Sequence, residues 1–417
     1  MINRRSLRLS HIIIIGGGII GGSILYHLYK NGYRGKTTVF ERKSQLAQES
    51  TSLSAGAFRN IWSTKVNLLL TNYSIAAYKN FKEELGENIG FEQIGYLFTY
   101  YEKEFEELKS FKHFFDENNV RVVLLKPEEI KSYVPGYIYT IDHIDKEVND
   151  ILQMKEIAGG MFGPDCGIFN PTTAANRYFE YAKEKNPDKI EIKLNNEVKK
   201  IIFRENKVVG VELLDNSIVE ADIVILSAGA FSGDILRAST DNSDYQIPVV
   251  PWKRMLFTVK MPQIKDFDKI PMTIIDNGVY FHPEKGNLIV GRANPEQRFG
   301  YDYKPEPDYY EEQMNYYMAT RIPGMEYCRI ISSQSMWGGL YEHNTMDKNG
   351  IIGFHSDLAN LFIATGFSGH GVMEAPGVGQ SSAEMILENR YKTIPEVKDL
   401  AYERFRKKEL IKETIVI

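Results

Sequence analysis

Residues 11–41 decide the fold, and they read HIIIIGGGIIGGSILYHLYKNGYRGKTTVFE. Ile12 to Ile15 form an unbroken β-branched run, which is too short to cross a membrane and is typical of a parallel strand buried on both faces. Gly16, Gly18 and Gly21 follow with the spacing GxGxxG, and apolar residues then recur with helical period. The stretch therefore predicts a strand, a tight glycine turn and a helix.

Each glycine of this turn has its own purpose in a dinucleotide site. The first permits the turn, the second lets backbone approach a pyrophosphate, and the third lets the helix pack on the strand. Thr37 to Phe40 form a second strand, and Glu41 follows it at the place where a carboxylate accepts hydrogen bonds from ribose hydroxyls. We therefore predict a dinucleotide site, with an unphosphorylated ribose as in FAD or NAD, and not a merely structural turn.

The composition of the whole chain narrows the class of protein. Its 417 residues exceed the usual size of a single core, so two domains are expected. A formal net charge of -5 argues against a nucleic-acid partner, which needs a basic face. No stretch approaches the roughly 20 apolar residues that span a bilayer. Cys166 and Cys328 lie in no metal-ligand spacing, so we expect buried thiols and no metal site.

The first residues are basic, because Arg4, Arg5 and Arg8 precede the first apolar run. This arrangement imitates a signal peptide or a twin-arginine leader. The apolar run is already the first strand of the dinucleotide unit, however, and no small-residue cleavage site follows it. We therefore expect a cytoplasmic protein with a frayed basic start.

A polar segment follows Glu41 and cannot be a regular buried element. Its hydroxyl side chains suit a loop that faces a phosphate or a flat ring, and they belong to Ser50, Thr51, Ser52 and Ser54. The alternative is a solvated loop in which Thr51 or Ser52 caps the next helix. Arg59 is the first cation that could lie near a cofactor.

The middle of the chain alternates between helical and strand-like patterns. Helices are predicted over Lys65–Leu85, Glu102–Asn118, Thr173–Lys185 and, briefly, Pro127–Ile130; strands over Phe91–Tyr100, Val120–Leu125 and Val224–Leu226. The last of these strands ends on small residues, including Ala228 and Gly229, which would let a flat cofactor come close. Within a β-rich block, Tyr280 and His282 alternate onto one strand face. Both could point at a ligand, although a half-buried sheet residue is the preferred interpretation for His282.

A second glycine-rich turn is predicted near the C-terminal end of the sequence. Residues 361–374 read LFIATGFSGHGVME, in which an apolar strand ends and glycines bracket Ser368 and His370 before a helix begins. A helix N-terminus of this kind stabilises negative charge. Two such sites in one chain suit a large, bipartite cofactor.

The chain resembles the D-amino-acid oxidase superfamily of FAD-dependent oxidoreductases. The closer likeness is to the branch with sarcosine, dimethylglycine and proline dehydrogenases, monomeric sarcosine oxidase and the mitochondrial FAD-dependent oxidoreductase domain protein. The matching pieces span nearly the whole chain and are GGGIIGGSILYHL with VFER, TSLSAGAFR, CGIFNP, NNEVKKI, LSAGAFS, WGGLYEHNTMDKNGIIG, ATGFSGHGVMEAPGVGQ and ERFRKKELIKETIVI.

The resemblance implies a mixed α/β (α+β) fold. A Rossmann-like FAD domain would be assembled from residues 1–85, 151–240 and 332–417. A mostly antiparallel substrate domain with helices would comprise residues 86–150 and 241–331.

The resemblance also implies roles for particular residues. Glu41 would hold the adenosine ribose, Val198 the adenine through its backbone, and Arg59 would lie near the flavin ring. The full set implied to bind FAD is Gly16, Gly18, Ile19, Ile20, Gly21, Glu41, Arg42, Thr51, Ser52, Ser54, Ala55, Arg59, Val198, Ala228, Gly229, Gly339, Leu340, Gly366, Phe367, Gly369, His370 and Gly371. The candidate catalytic residues are Arg59, His370 and Tyr280; for His370 a turn-shaping role is at least as good an interpretation.

The chain departs from the sarcosine oxidase pattern at several positions. Gly339 stands where a cysteine is tethered to the flavin, so FAD is predicted to be non-covalent. Ile289 stands where a lysine activates oxygen, which favours a dehydrogenase. Trp62 and Met373 replace the two basic residues that clamp the carboxylate of sarcosine. A substrate carboxylate would then need another cation, for which the candidates are Arg59, Arg254 and Arg292.

The activity implied is oxidation of a secondary or tertiary amine or amino acid, with hydride passing to flavin N5 and electrons then passing to an unknown acceptor or partner subunit. Two alternatives stay open. One is a flavin-bound assembly or interaction protein of a respiratory complex, and the other is an FAD-dependent 2-hydroxy acid oxidoreductase.

Overall fold

The computed structural model describes residues 10–415. The basic residues Arg4, Arg5 and Arg8, on which the prediction of a frayed start depends, lie outside the described residues.

The described residues contain both strands and helices, and longer irregular segments separate β2 from β3 and β16 from α8. The strands are β1 His11–Ile15, β2 Lys36–Phe40, β3 Ala57–Phe58, β4 Tyr96–Tyr100, β5 Val123–Leu125, β6 Gly159–Gly163, β7 Gly167–Ile168, β8 Ile190–Lys193, β9 Val198–Arg204, β10 Lys207–Leu213, β11 Ile218–Glu220, β12 Ile223–Leu226, β13 Val249–Lys260, β14 Met272–Ile274, β15 Tyr280–Glu284, β16 Asn287–Arg292, β17 Met336–Asn344, β18 Ile351–Phe354 and β19 Leu361–Thr365. The α-helices are α1 Ile19–Lys30, α2 Lys65–Lys79, α3 Phe81–Leu85, α4 Glu102–Glu117, α5 Lys146–Leu152, α6 Pro171–Lys185, α7 Ser232–Ser239, α8 Pro307–Tyr310, α9 Tyr316–Arg321, α10 Gly371–Glu388 and α11 Glu403–Lys407.

A six-stranded sheet in the order β18-β19-β12-β1-β2-β8 is built around the opening stretch. β1 lies at its centre and pairs in parallel with β2 and β12. Ile12 and Ile14 pack with helices α1, α6 and α10, whereas Ile13 and Ile15 pack with the three-stranded sheet β9 to β11 on the other face. The unbroken β-branched run therefore reflects a strand that is buried on both faces, as predicted.

A second, eight-stranded sheet has the order β17-β13-β16-β15-β14-β4-β6-β5. Its neighbours pair antiparallel except β14 with β4. The predicted fold class, a Rossmann-like sheet with a mostly antiparallel second sheet, is thus confirmed. The division into domains stays a prediction, and β6 and β17 belong to the eight-stranded sheet although their residues fall in ranges assigned to the FAD domain.

Several predicted element boundaries were wrong. The single helix predicted over residues 65–85 is interrupted at Asn80, which ends α2 and precedes α3. The strand predicted from Phe91 begins at Tyr96, because Gly95 adopts a φ of +81° that breaks an extended strand. Likewise, β5 begins at Val123 and not at Val120. Hydrophobic pattern alone does not show where such backbone turns lie.

Within residues 10–415, no helix is both long and apolar enough to cross a membrane. The same residues contain no group of three or more His, Cys, Asp or Glu side chains placed to hold a metal ion. Cys166 and Cys328 are both buried free thiols.

Candidate active site

A cavity of about 540 Å³ begins at the carboxyl ends of β1, β2 and β12 and extends to the eight-stranded sheet. Its wall includes Ile15, Phe40 and Ser227 at one end and Arg254 and Tyr280 at the other. The volume is typical of a ligand site, and the carboxyl ends of parallel strands are where open α/β sheets bind ligands. The cavity therefore joins the two sheets.

The glycine turn has the close backbone contacts that its spacing predicts. Gly16 has a φ of +112°, and a Cβ added there would overlap the carbonyl oxygen of Ser227. A Cβ added at Gly21 would overlap the carbonyl oxygen of Gly16. Helix α1 begins at Ile19, whose N–H donates to the Thr51 hydroxyl at 3.1 Å. Thr51 therefore supports the start of α1 and does not begin a helix of its own.

Glu41 is held at the end of β2 beside this turn. One carboxylate oxygen accepts from the N–H of Gly17 and the other from the N–H of Lys43, each at 2.8 Å. Arg42 pairs with Glu49, and its guanidinium lies 3.6 Å from the ring centroid of Phe231. Sequence reasoning did not single out Glu49 or Phe231, which join Arg42 in the cavity wall.

Most of the residues predicted to bind FAD lie on the cavity wall. They are Gly16, Gly18, Ile19, Ile20, Glu41, Arg42, Thr51, Ser54, Ala55, Arg59, Val198, Ala228, Gly229, Gly339, Leu340, Gly369, His370 and Gly371. The structure thus brings together segments that are hundreds of residues apart in sequence. Their individual roles in cofactor binding stay predictions.

The other predicted residues do not reach the wall. Gly21 serves the packing of α1 on β1, as described above. Ser52 is exposed, and its hydroxyl donates to the carbonyl of Glu49 at 3.2 Å. Phe367 is fully buried, with its ring over Gly350, and Gly366 donates its N–H to Glu342 at 2.9 Å. Neighbouring residues of a turn point in different directions, which sequence spacing does not reveal.

Tyrosine side chains line the end of the cavity that meets the eight-stranded sheet. The Tyr280 ring passes over Gly291, and the Tyr341 ring passes over Gly369, since a Cβ added at either glycine would overlap the ring. Tyr96 is the third tyrosine of this group. Sequence reasoning missed Tyr96 and Tyr341; the period-two aromatic pattern of YLFTY was the available signal for Tyr96.

His282 was predicted to share a face with Tyr280, but it does not line the cavity. Its side chain is fully buried, with Nδ1 3.0 Å from the carbonyl oxygen of Pro283. Burial lowers the pKa of its imidazole. The preferred interpretation was a half-buried sheet residue; His282 does lie in a strand, β15, but it is fully buried.

The three candidate cations for a substrate carboxylate have different surroundings. Arg292 donates to the carbonyl of Asn277 at 3.0 Å and to Gln313 at 3.2 Å, and it lies outside the cavity wall. Arg59 is 2% exposed and donates to the carbonyls of Ile61 and Ile415. Both guanidinium groups are therefore already engaged by protein oxygens.

Arg254 is the cation that the protein leaves available. Its guanidinium lies 3.6 Å from the ring centroid of Trp252 and 4.8 Å from that of Tyr341. It donates to the carbonyl of Lys253 at 3.1 Å, while its buried Nε has no hydrogen-bond partner among residues 10–415. Burial lowers its pKa. A buried donor without a partner is costly, so this group is suited to an anionic ligand in the cavity.

His370 lies at the start of α10 and packs edge-on against Trp62, with ring centroids 4.4 Å apart. Burial, assisted by the nearby charge of Arg59, lowers its pKa to about 3. The imidazole is therefore neutral at physiological pH. A pKa so far below the working pH is poorly matched to general-base catalysis, which is most efficient near that pH.

Glu342 is another titratable residue of the wall, and sequence reasoning did not single it out. It accepts from the Thr365 hydroxyl at 2.5 Å and from the N–H of Gly366. Withdrawal from bulk water raises its pKa to about 7. The feature of the sequence that could have indicated Glu342 is that it is the lone acid in the glycine-rich segment WGGLYE.

Several features of the cavity wall suit FAD. Gly229 has a φ of +55°, and an added Cβ would meet no atom within 4 Å, so the backbone there is open to a ligand. The start of α1 lies on the same wall, and the first N–H groups of a helix lack partners within that helix. Leu53 and Gly339 adjoin each other on the wall, and neither carries a nucleophile.

A nucleotide-binding Rossmann site that opens onto a tyrosine-lined cavity defines a dinucleotide-dependent oxidoreductase. The chain matches the family DAO, FAD dependent oxidoreductase, over residues 11–385, and it belongs to that family. FAD is therefore its cofactor.

Named relatives and solved structures agree with this assignment. FAD-dependent oxidoreductase domain-containing protein 1 of Xenopus laevis is 29% identical over 97% of this chain and 84% of its own. The 4-methylaminobutanoate oxidase (formaldehyde-forming) of Paenarthrobacter nicotinovorans is 27% identical over 90% of this chain and 43% of its own. The L-proline dehydrogenase of P. horikoshii superposes with a TM-score of 0.79 and 29% identity, covering 97% of this chain and 99% of that one.

Proposed function

We propose that this FAD-dependent oxidoreductase oxidises the C–N bond of a secondary or tertiary amine that carries a carboxylate. The observation that carries the proposal is Arg254, a cation on the cavity wall whose Nε has no partner among the described residues. A bidentate guanidinium–carboxylate pair would satisfy this group and fix the orientation of the substrate.

The rest of the wall supports such a substrate. The rings of Tyr96, Tyr280 and Tyr341 offer apolar faces to the carbon chain and aromatic faces to an amine. FAD, when bound, supplies the two-electron acceptor for the hydride that leaves the carbon next to nitrogen, and the imine then hydrolyses in water. We assign to neutral His370 the shaping of the turn before α10, because its low pKa makes it a poor proton acceptor.

The names of three relatives describe substrates of this class. Two are the 4-methylaminobutanoate oxidase and the proline dehydrogenase described above, and the third is dimethylglycine dehydrogenase of Rattus norvegicus, 24% identical over 90% of this chain and 42% of its own. Each named substrate joins a carboxylate to a secondary or tertiary nitrogen. We also propose that the enzyme is a dehydrogenase and not an oxidase, because Ile289 stands at the position of the oxygen-activating lysine. Ile289 is buried in β16 and does not line the cavity.

The test is anaerobic titration of the purified flavoprotein with proline, sarcosine, dimethylglycine, 4-methylaminobutanoate and 2-hydroxyglutarate, followed by flavin absorbance. We expect one of the amines to bleach the flavin. Bleaching by 2-hydroxyglutarate alone would show that the substrate is a 2-hydroxy acid and not an amine. A flavin that no compound reduces would contradict an amine dehydrogenase and favour the assembly role.

The Arg254→Met variant tests the carboxylate anchor separately. We expect the dissociation constant of the reducing amine to rise by about 10- to 100-fold, since a charged hydrogen bond contributes about 1.5–3 kcal/mol. The matched control is Arg298→Met, which removes an exposed arginine from the loop after β16. Equal affinity in Arg254→Met and the wild type would contradict this role for Arg254.

A further inference from the structure

The segment Ile411–Ile415 lies against the start of helix α2, about 350 residues away in sequence. One oxygen of the Glu413 carboxylate accepts from the N–H and hydroxyl of Ser63 at 2.9 and 2.6 Å. The other accepts from the N–H and hydroxyl of Thr64 at 3.1 and 2.8 Å. Thr64 is the N-cap of α2 but makes no side-chain cap bond, and the first turn of α2 has no acid of its own. Glu413 therefore anchors the two residues before α2 and supplies the negative charge that a helix start favours.

The same segment holds Arg59 on the wall of the FAD cavity. The carbonyl oxygen of Ile415 accepts from one guanidinium nitrogen of Arg59 at 2.7 Å, and the carbonyl of Ile61 accepts from the other. The guanidinium lies 3.6 Å from the ring centroid of Trp62, which itself packs against His370. Glu413 is the charge that most favours the cationic form of Arg59. Two backbone carbonyls, one ring and one remote carboxylate thus determine where this buried cation lies.

A competing partner for Arg59 lies nearby, on the first turn of α10. Glu374 is 2% exposed, and its Oε1 has no hydrogen-bond partner among residues 10–415. Burial raises the pKa of Glu374, and Arg59 is the charge that most opposes this rise. Without the Ile415 carbonyl, the unpartnered Oε1 of Glu374 is an alternative acceptor for the guanidinium. An unpartnered buried acid beside a buried cation is therefore a reason for a separate restraint on Arg59.

We propose that segment Ile411–Ile415 is a positioning element of the active site: through Glu413 and the Ile415 carbonyl it holds Arg59 at the FAD cavity and away from Glu374. The segment thereby sets the positive charge that the cavity presents to the cofactor. This inference depends on FAD binding, which the family establishes, and not on the identity of the substrate.

The test measures the midpoint potential of FAD bound to the whole protein in Glu413→Gln and in Arg59→Gln. A cation on the wall stabilises the electron-rich reduced cofactor, so both variants should shift the potential to more negative values. The combined variant should show no further shift than Arg59→Gln alone, because Glu413 acts through Arg59. Lys412→Gln, an exposed position of the same segment, is the matched control and should leave the potential unchanged.

A role in anchoring Ser63 and Thr64 alone gives a different result. It would lower the melting temperature of Glu413→Gln and leave the potential unchanged. That result would overturn the proposal, and so would additive shifts in the combined variant. If Glu413→Gln does not retain FAD, the double variant Ser63→Ala/Thr64→Val removes the hydroxyl partners of Glu413 and is measured in its place, with the same two outcomes.

Discussion

At the scale of single residues, the cavity wall carries side chains whose chemistry is set by their surroundings. Glu342 is an example, because its ordinary pKa of 4.5 is raised to about 7 by withdrawal from water. Between these two pH values the folded protein keeps the proton and the unfolded chain loses it. The free energy of unfolding therefore decreases as pH rises through this window, and the full stabilisation is present only below it.

We expect Glu342→Gln to remove this dependence. Relative to the wild type, the variant should lose less stability between pH 5 and pH 8, by up to about 2 kcal/mol after allowance for screening by solvent in the cavity. Urea unfolding at both pH values measures the difference. Glu117→Gln, at an exposed helical position, is the control and should behave as the wild type. An unchanged pH dependence in Glu342→Gln would show that Glu342 does not titrate in this window.

Non-covalent binding of FAD is a prediction that two residues of the wall support. Leu53 and Gly339 adjoin on the wall, and a Cβ added at Gly339 would lie 3.0 Å from the Cβ of Leu53. A cysteine at position 339 would therefore be crowded by Leu53. We expect acid precipitation of the purified protein to leave the flavin in the supernatant, as measured by its absorbance. A yellow pellet would instead reveal a covalent bond to another residue.

At the scale of elements, the packing of α1 on β1 depends on Gly21. A Cβ at this position would overlap the Gly16 carbonyl oxygen and lie 3.3 Å from Ile14 and from the Ser227 hydroxyl. We expect Gly21→Ala to push α1 away from the turn and to yield protein with little bound FAD. The ratio of flavin to protein absorbance after purification measures this loss.

Gly86→Ala is the matched control for that substitution. Gly86 has a φ of +78° but no atom within 4 Å of an added Cβ, so the variant carries only the backbone cost of about 1–2 kcal/mol. It should keep its flavin. Loss of flavin in both variants would mean that general destabilisation, and not the position of α1, empties the cavity.

At the scale of the whole molecule, a buried ion pair joins separate parts of the eight-stranded sheet region. Arg321 donates to both oxygens of Asp276, at 2.8 and 2.6 Å, and both side chains are fully buried. Arg321 also donates to four backbone carbonyls, of Ile138, Tyr139, Thr140 and Lys155. Tyr101 donates to Asp276 at 2.7 Å. The pair thus connects α9 with the turn after β14 and with the chain between β5 and β6.

We expect Asp276→Asn to lower the free energy of unfolding by about 3–5 kcal/mol, because it leaves Arg321 buried without a counter-charge. Asp266→Asn, which breaks an exposed pair with Lys269, should change it by less than about 1 kcal/mol. Denaturant unfolding of both variants tests the contrast. Equal losses would indicate that the carbonyl partners alone stabilise Arg321.

The sequence by itself determined the dinucleotide unit. The β-branched run, the glycine spacing and Glu41 are local features, and short-range sterics make each of them specific: Gly16 adopts a φ of +112° and Gly21 leaves no room for a side chain. Most residues that the family motifs imply for FAD binding also lie on the cavity wall. Helices and strands with a sustained apolar repeat were also predicted, but their ends were not, as the interruption at Asn80 shows.

Only the tertiary structure decided which side chains face the cavity and which are already engaged. Arg59, Arg254 and Arg292 are all candidates in the sequence, yet Arg254 is the one of the three with a buried guanidinium nitrogen, Nε, that has no partner among residues 10–415. Some residues lie next to a cavity-lining residue in sequence but point away from the cavity, namely Ser52, Gly366 and Phe367. Glu413 reaches Ser63 across about 350 residues of chain. Such pairings depend on long-range packing, for which a single sequence has no local signal.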